Sequence, residues 1–196
     1  MKLNDKLKNC NIILASGSPR RQQLLRDLGI DFTVQLKPVD EDFPANLKHF
    51  EVSDYLAQLK AIPFKETLNY NDILLTSDTI VWHNETVLGK PLDFEEAFKM
   101  LKSMGGATHE VITSVCFTTK EQEKTVNSVT KVTFKEFTDE EISHYINTFE
   151  PYDKAGGYGI QEWIGKIGVT KIEGSYFNVV GFPVHLVYST LLEIVK

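Results

Sequence analysis

The side chains best suited to chemistry begin at Ala15-Ser16-Gly17-Ser18-Pro19-Arg20-Arg21. The apolar run from Ile12 to Ala15 reads as a buried strand, and Leu24, Leu25 and Leu28 predict a helix running from near Pro19 to Gly29. Ser18 suits the N-cap, and Pro19 suits the first helical position, where a missing N–H costs nothing. Arg20 and Arg21 then fall beside the positive end of the helix dipole, each disfavoured by a few tenths to about 1 kcal/mol. Two cations there, next to free backbone N–H groups and the hydroxyls of Ser16 and Ser18, predict an anion, and a phosphate group fits. The alternative is that both arginines are solvated or paired with acidic neighbours.

Three further clusters carry polar chemistry. Thr76-Ser77-Asp78-Thr79 sets a carboxylate inside an apolar strand, where a charge must be paired, hydrogen-bonded or metal-bound. Leu88-Gly89-Lys90-Pro91 puts one lysine between a strand and a helix; alone it reads as a solvated loop lysine. Asp153-Lys154-Ala155-Gly156-Gly157-Tyr158-Gly159-Ile160-Gln161 joins a charge pair to glycines that permit close backbone approach, and it reads equally as a plain glycine-rich turn.

These clusters need elements to hold them. Phe32 to Leu36 reads as a second strand, followed by a polar loop through Pro38, Asp40, Glu41, Asp42 and Pro44. Val52 to Thr67 is helical in pattern, with Pro63 kinking or ending it. Ile73 to His83 is a strand that turns at Asn84-Glu85 into Thr86 to Leu88. Asp93 to Met104 is a helix with a capping start at Asp93 and Glu96 and a stop at Gly105-Gly106. Glu110 to Thr119 and Val126 to Phe137 alternate as a hairpin about a charged turn, Lys120 to Lys124. Thr138 and Glu141 cap a helix to about Phe149, and Pro183 to Val195 is amphipathic. Strands and helices so mixed predict an α/β fold, a twisted mixed sheet with flanking helices and a central cleft.

Composition narrows the function. The 196 residues suit one domain or two closely joined lobes, and no apolar stretch approaches the ~20 residues of a membrane span. Met1-Lys2-Leu3-Asn4-Asp5-Lys6 has no apolar signal-peptide core behind it. Cys10 and Cys116 fit a reducing cytosol, and five scattered histidines lack paired zinc spacing. A net charge of −6 opposes nucleic-acid binding and fits carboxylates that hold Mg²⁺ against substrate phosphates. The dinucleotide-binding, P-loop and serine-hydrolase glycine signatures are missing.

The four clusters, from Ala15–Arg21 through Ser77-Asp78-Thr79 and Leu88–Pro91 to Asp153–Gln161, follow the order and approximate spacing of the Maf family. Val39-Asp40-Glu41, Leu56-Ala57-Gln58-Leu59-Lys60-Ala61 and Gly174-Ser175-Tyr176 through Val180-Gly181-Phe182-Pro183 match as well, so the chain resembles the family from about Asn11 to about Leu192. That family comprises nucleoside triphosphate pyrophosphatases once described as septum formation proteins. The resemblance implies a single Maf-like domain over residues 1–196, two-lobed and similar to the inosine triphosphate pyrophosphatases, with substrate in the cleft. It implies cleavage of an α–β phosphoanhydride to a monophosphate and pyrophosphate with Mg²⁺ or Mn²⁺, a cytoplasmic location, a homodimer and a house-cleaning role.

Tyr158-Gly159-Ile160-Gln161 resembles the dTTP/UTP branch rather than the 7-methyl-GTP branch. A Gln161 carboxamide, both donor and acceptor, suits a uracil or thymine edge. By the same resemblance Arg20, Thr79 and Gln161 select the base, Asp78 accepts the proton of the attacking water, and Glu41 with Asp78 holds the metal. Arg21, Lys60, Lys90 and Lys154 surround the triphosphate, beside Ser16 and Ser18, with Lys60 and Lys90 counted with Asp78 as catalytic. The chain departs from the family pattern at Glu162, where glycine is usual, with Trp163 adding bulk; at Ser77, which replaces alanine and could hydrogen-bond Asp78; and at Pro63, which could spoil the aim of Lys60. The alternatives are a nucleotide-responsive regulator of cell division without turnover, from another class, and a 7-methyl-GTP pyrophosphatase.

Overall fold

The computed structural model describes residues 3–195; Met1 and Lys2, which open the N-terminal reading above, and Lys196 lie outside the described residues. The order is α1 (Leu3–Leu7), β1 (Asn11–Leu14), α2 (Pro19–Asp27), β2 (Thr33–Val34), α3 (Phe50–Ala61), β3 (Asp72–His83), β4 (Thr86–Leu88), α4 (Phe94–Met104), β5 (Thr108–Thr118), β6 (Glu123–Phe134), α5 (Asp139–Phe149), α6 (Trp163–Gly168), β7 (Val169–Glu173), α7 (Tyr176–Val180) and α8 (Val184–Ile194). Among the described residues the strands form one seven-stranded sheet in the order β2-β1-β3-β5-β6-β7, with β4 on β3 off that path. β1 runs parallel to β2 and β3, while β3–β4 and β6–β7 are antiparallel, so the sheet is mixed. The α/β class is as the sequence predicts.

Local chemistry explains most boundaries. Ser18 caps α2, its side chain accepting from the Arg21 N–H, and Pro19 opens the helix. The Val52–Thr67 pattern splits as Pro63 requires: α3 ends at Ala61, and a 3₁₀ stretch carries Ile62–Thr67. Asn84 and Glu85 both take left-handed φ values, 48° and 59°, the twist a two-residue hairpin loop demands. Asp93 Oδ1 accepts from the Glu96 N–H at 2.9 Å, and Thr138 with Glu141 forms a full capping box on α5.

The expected strand Phe32–Leu36 contracts to Thr33–Val34, at the sheet edge with both side chains exposed, where burial cannot extend it. Glu123 and Lys124 belong to β6 rather than to the charged turn, which closes earlier through Thr119 N to Gln122 O at 2.9 Å.

The chain divides into two compact units: residues 1–78, 113–128 and 181–196, and residues 79–112 and 129–180. The first unit has two cores. One packs Ile12, Leu14, Leu25, Leu75, Phe117, Phe182 and Leu191; the other packs Ile13, Ala57, Ala61, Phe64 and Leu74. β1 and β3 therefore bury alternate residues on opposite faces, which fixes α3 against one face and α2 and α8 against the other. The second unit packs Val81, Leu101, Val132, Phe134, Ile142, Tyr145 and Ile164 around α4 and α5. Cys10 and Cys116 are both free thiols, and among the described residues no helix is long and apolar enough to cross a membrane.

Candidate active site

In the first unit the Ser16–Arg21 segment forms the turn from β1 into α2. Ser16 is buried, and its hydroxyl oxygen accepts from the Ser18 N–H at 3.3 Å. Arg21 is anchored through its guanidinium to distant backbone. Its Nε donates to the Gly181 carbonyl at 2.9 Å and its Nη1 to the Ser77 carbonyl at 2.8 Å. Two backbone acceptors brought from distant chain thus hold the guanidinium. Burial pushes the Arg21 guanidinium below its usual range; the Asp78 and Glu41 carboxylates pull it back up, and Arg20 adds to the lowering. Arg20 lies half-buried in the same first turn.

The acidic cluster is built by two periodicities meeting. Thr76 donates its hydroxyl to the Ala57 carbonyl at 2.6 Å, tying β3 to α3. Two residues along the strand Asp78 lies on the same face, and three residues along the helix comes Lys60. Lys60 Nζ is 2.6 Å from Asp78 Oδ1 and 3.1 Å from Glu41 Oε1. The proline break falls after Lys60, so it leaves the lysine's aim intact. Ser77 does not tune Asp78 by a hydrogen bond: strand alternation turns it to the other face, and its buried hydroxyl has no hydrogen-bond partner.

In the second unit the Lys90 and Lys154 motifs meet. Gly156 N–H donates to the Gly89 carbonyl at 2.9 Å, which pins the loop before Lys90 to the glycine turn after Lys154. Gly156 takes φ +69°, and a Cβ there would come within 2.9 Å of Val81 Cγ2, so the motif needs glycine at that position. Tyr158 extends the anchoring, its hydroxyl lying 2.7 Å from His109 Nε2 in a buried contact. Lys90 is exposed and Thr79 and Gln161 are half-buried. Lys154 is almost wholly buried, with Nζ 2.6 Å from Asp153 Oδ1 and 3.3 Å from Glu162 Oε1.

Two groups escaped the sequence reading. Tyr145 falls at apolar spacing with Ile142 and Ile146 on α5 and reads as core, yet its hydroxyl donates to Glu162 Oε2 at 2.5 Å and accepts from the Gly159 N–H at 3.0 Å. A buried phenol needs a partner, which was the available signal, but nothing in the sequence said which. His109 likewise reads as a strand residue.

The residues present fit a hard divalent cation. Glu41 and Asp78 already converge on one positive charge, and both offer the oxygen donors such ions prefer. Among the described residues no group of three His, Cys, Asp or Glu gathers to hold a metal, so the remaining ligands would be water and substrate oxygens, the usual habit of Mg²⁺ sites.

Comparison with known proteins finds relatives that match nearly the whole chain. A dTTP/UTP pyrophosphatase of Flavobacterium johnsoniae is 56% identical over 193 residues, 98% of this chain and 100% of that protein. A protein of the same name from Christiangramia forsetii is 55% identical over 99% of each chain, and one from Flavobacterium psychrophilum is 53% identical over 97% of this chain and 98% of its own. Among solved structures, the Staphylococcus aureus Ham1 protein aligns over 64% of this chain and 72% of that one at 13% identity, with a TM-score of 0.45. The architecture rests on this chain's own strand order. The model of the Maf-like protein family matches residues 11–194, a span that takes in every motif described above, and the chain belongs to that family.

Proposed function

We propose that the protein is a metal-dependent nucleoside triphosphate pyrophosphatase that hydrolyses dTTP and UTP to the monophosphate and pyrophosphate. The observation that carries this reading is the Glu41–Lys60–Asp78 cluster in a chain 56% identical, over nearly its whole length, to a dTTP/UTP pyrophosphatase.

Water attacks the α-phosphorus, the bond between that phosphorus and the bridging oxygen breaks, and pyrophosphate leaves. Asp78 accepts the proton of the attacking water. Glu41 and Asp78 would hold a Mg²⁺ or Mn²⁺ ion, which would supply positive charge against the phosphate oxygens. Lys60, Arg21, Lys90 and Lys154 bind phosphate oxygens and offset the charge that develops on the leaving group. Ser16 and Ser18 support phosphate binding from the β1–α2 turn. Arg20, Thr79 and Gln161 select the base, the carboxamide of Gln161 matching the carbonyl and N–H groups of a pyrimidine edge. The same reading makes the protein a cytoplasmic homodimer with a house-cleaning role.

Pyrophosphate release from dTTP, UTP, CTP and 7-methyl-GTP, each with and without Mg²⁺, tests it. The two pyrimidine substrates dTTP and UTP lead the panel, and chelation abolishes turnover. Tight nucleotide binding with no product overturns catalysis in favour of a regulator, and dominance of 7-methyl-GTP overturns the base assignment.

A further inference from the structure

We propose that Glu162 is a positioning residue for Lys154, fixing the lysine's ammonium with one carboxylate oxygen while Tyr145 and the Gly159 turn fix the carboxylate itself. The proposal rests on the reading of Lys154 as a phosphate-binding group. Lys154 has two acidic neighbours, and they differ in kind. Asp153 is 63% exposed and adjacent in the chain, whereas Glu162 is only 19% exposed and is held from several sides. Its Oε2 accepts from the Tyr145 hydroxyl at 2.5 Å, and its Oε1 lies 3.3 Å from Lys154 Nζ. Its own N–H closes a turn onto the Gly159 carbonyl at 2.9 Å, and the Gly159 N–H returns to the Tyr145 hydroxyl at 3.0 Å.

Gly159 shows how closely the parts pack. A Cβ there would fall 2.8 Å from Glu162 Cδ and 3.1 Å from Gln161 Nε2, so the carboxylate and the Gln161 carboxamide both lie over that glycine's backbone. Glu162 sits at the N-cap of α6 yet makes no capping bond; its charge is turned to Lys154 and Tyr145 instead. Burial, then the bond to Glu162, raises the Tyr145 phenol well above its ordinary range, so the O–H remains a donor. An arriving phosphate displaces the exposed Asp153 from the ammonium, while Glu162 keeps the ammonium aimed.

Steady-state kinetics with dTTP on the full chain tests this through a double-mutant cycle. Glu162→Gln keeps the size of the side chain but leaves one oxygen to serve both Lys154 and Tyr145. KM rises about tenfold, the scale of one charge-assisted hydrogen bond, with kcat changed less than about threefold. On a Lys154→Met background the same substitution changes KM less than about twofold, because the group it positions is gone. Asp153→Asn changes KM less than about threefold, as befits an exposed partner.

An equal KM factor on both backgrounds, no change in KM, a change in kcat alone, or an Asp153→Asn effect as large as that of Glu162→Gln overturns the proposal. Should Glu162→Gln fail to fold, Tyr145→Phe carries the same cycle: a KM increase lost on the Lys154→Met background supports positioning, and an equal factor on both overturns it. Lys154→Met raising KM while Glu162→Gln is inert overturns the positioning role alone. Lys154→Met leaving KM unchanged overturns the phosphate-binding assignment and the positioning role with it.

Discussion

In the first unit one ammonium, Lys60, lies between Glu41 and Asp78; in the second, Lys154 lies between Asp153 and Glu162. In both, one carboxylate is largely buried and the other substantially exposed. The difference lies in what else the buried carboxylate does. Glu162 is bound to Tyr145 and through it to the Gly159 backbone, so it is committed to structure. Asp78 shares Lys60 with Glu41 and lies in the charge field of Arg21. The same pair of residue types therefore serves two purposes. A carboxylate tied down by a buried hydroxyl fixes a cation, whereas in the proposed reading the pair of carboxylates joined through one ammonium serves the metal and the attacking water.

The largest effect separating the two clusters comes from Asp78→Asn. Loss of a general base lowers kcat by roughly 10²–10⁴-fold with folding intact, measured as pyrophosphate release beside a thermal melt. Full turnover in that variant would remove the distinction between the units. Next, Lys60→Met lowers kcat while Lys154→Met acts mainly on KM, each by about tenfold or more. In Lys60→Met the two carboxylates lose their ammonium. Added Mn²⁺ therefore raises the melting temperature of that variant more than that of the wild type, whereas in Lys154→Met it gives no such extra gain.

A third measurement concerns the second unit alone. Burial, then the nearby charge of His83, holds the His109 imidazole down at about 3, against about 6.5 for an unfolded histidine. The unfolded chain then binds a proton that the folded chain does not. Stability is full above pH 6.5 and falls as the pH drops toward 3, by about 2 kcal/mol between pH 6.5 and pH 5. Urea denaturation of wild type and His109→Gln at pH 7 and pH 5 reads this, the variant showing the shallower loss. The smallest effect is Thr138→Ala, which removes the cap of the helix that carries Tyr145 and costs about 1 kcal/mol. Its melting temperature drops, and KM changes only if α5 carries the Glu162 carboxylate through Tyr145.

Much of the fold was legible because local signals agree with it. Pro63 ended α3 where a proline must, Asn84-Glu85 made the tight hairpin, and Thr138 with Glu141 made the capping box. What escaped was short or non-periodic: α1, α6, α7 and β7 span only five or six residues each, too few to display a period. At the candidate site the sequence named the charged side chains but not all of their partners. It did not foresee that the Ser77 and Gly181 carbonyls, 56 and 160 positions away, accept N–H groups of Arg21. It set Ser77 against Asp78, when strand alternation turns the two apart.

By itself the sequence determined which residues could carry charge and where the chain had to cap, turn and stop, because those choices are made within a few residues. Only the tertiary structure decided which carboxylate meets which lysine, since those partners are brought together by a strand meeting a helix or by a turn folding back over a glycine. A lysine's charge is written in its side chain, but whether that charge is fixed or exchangeable depends on the groups packed around its counter-ion.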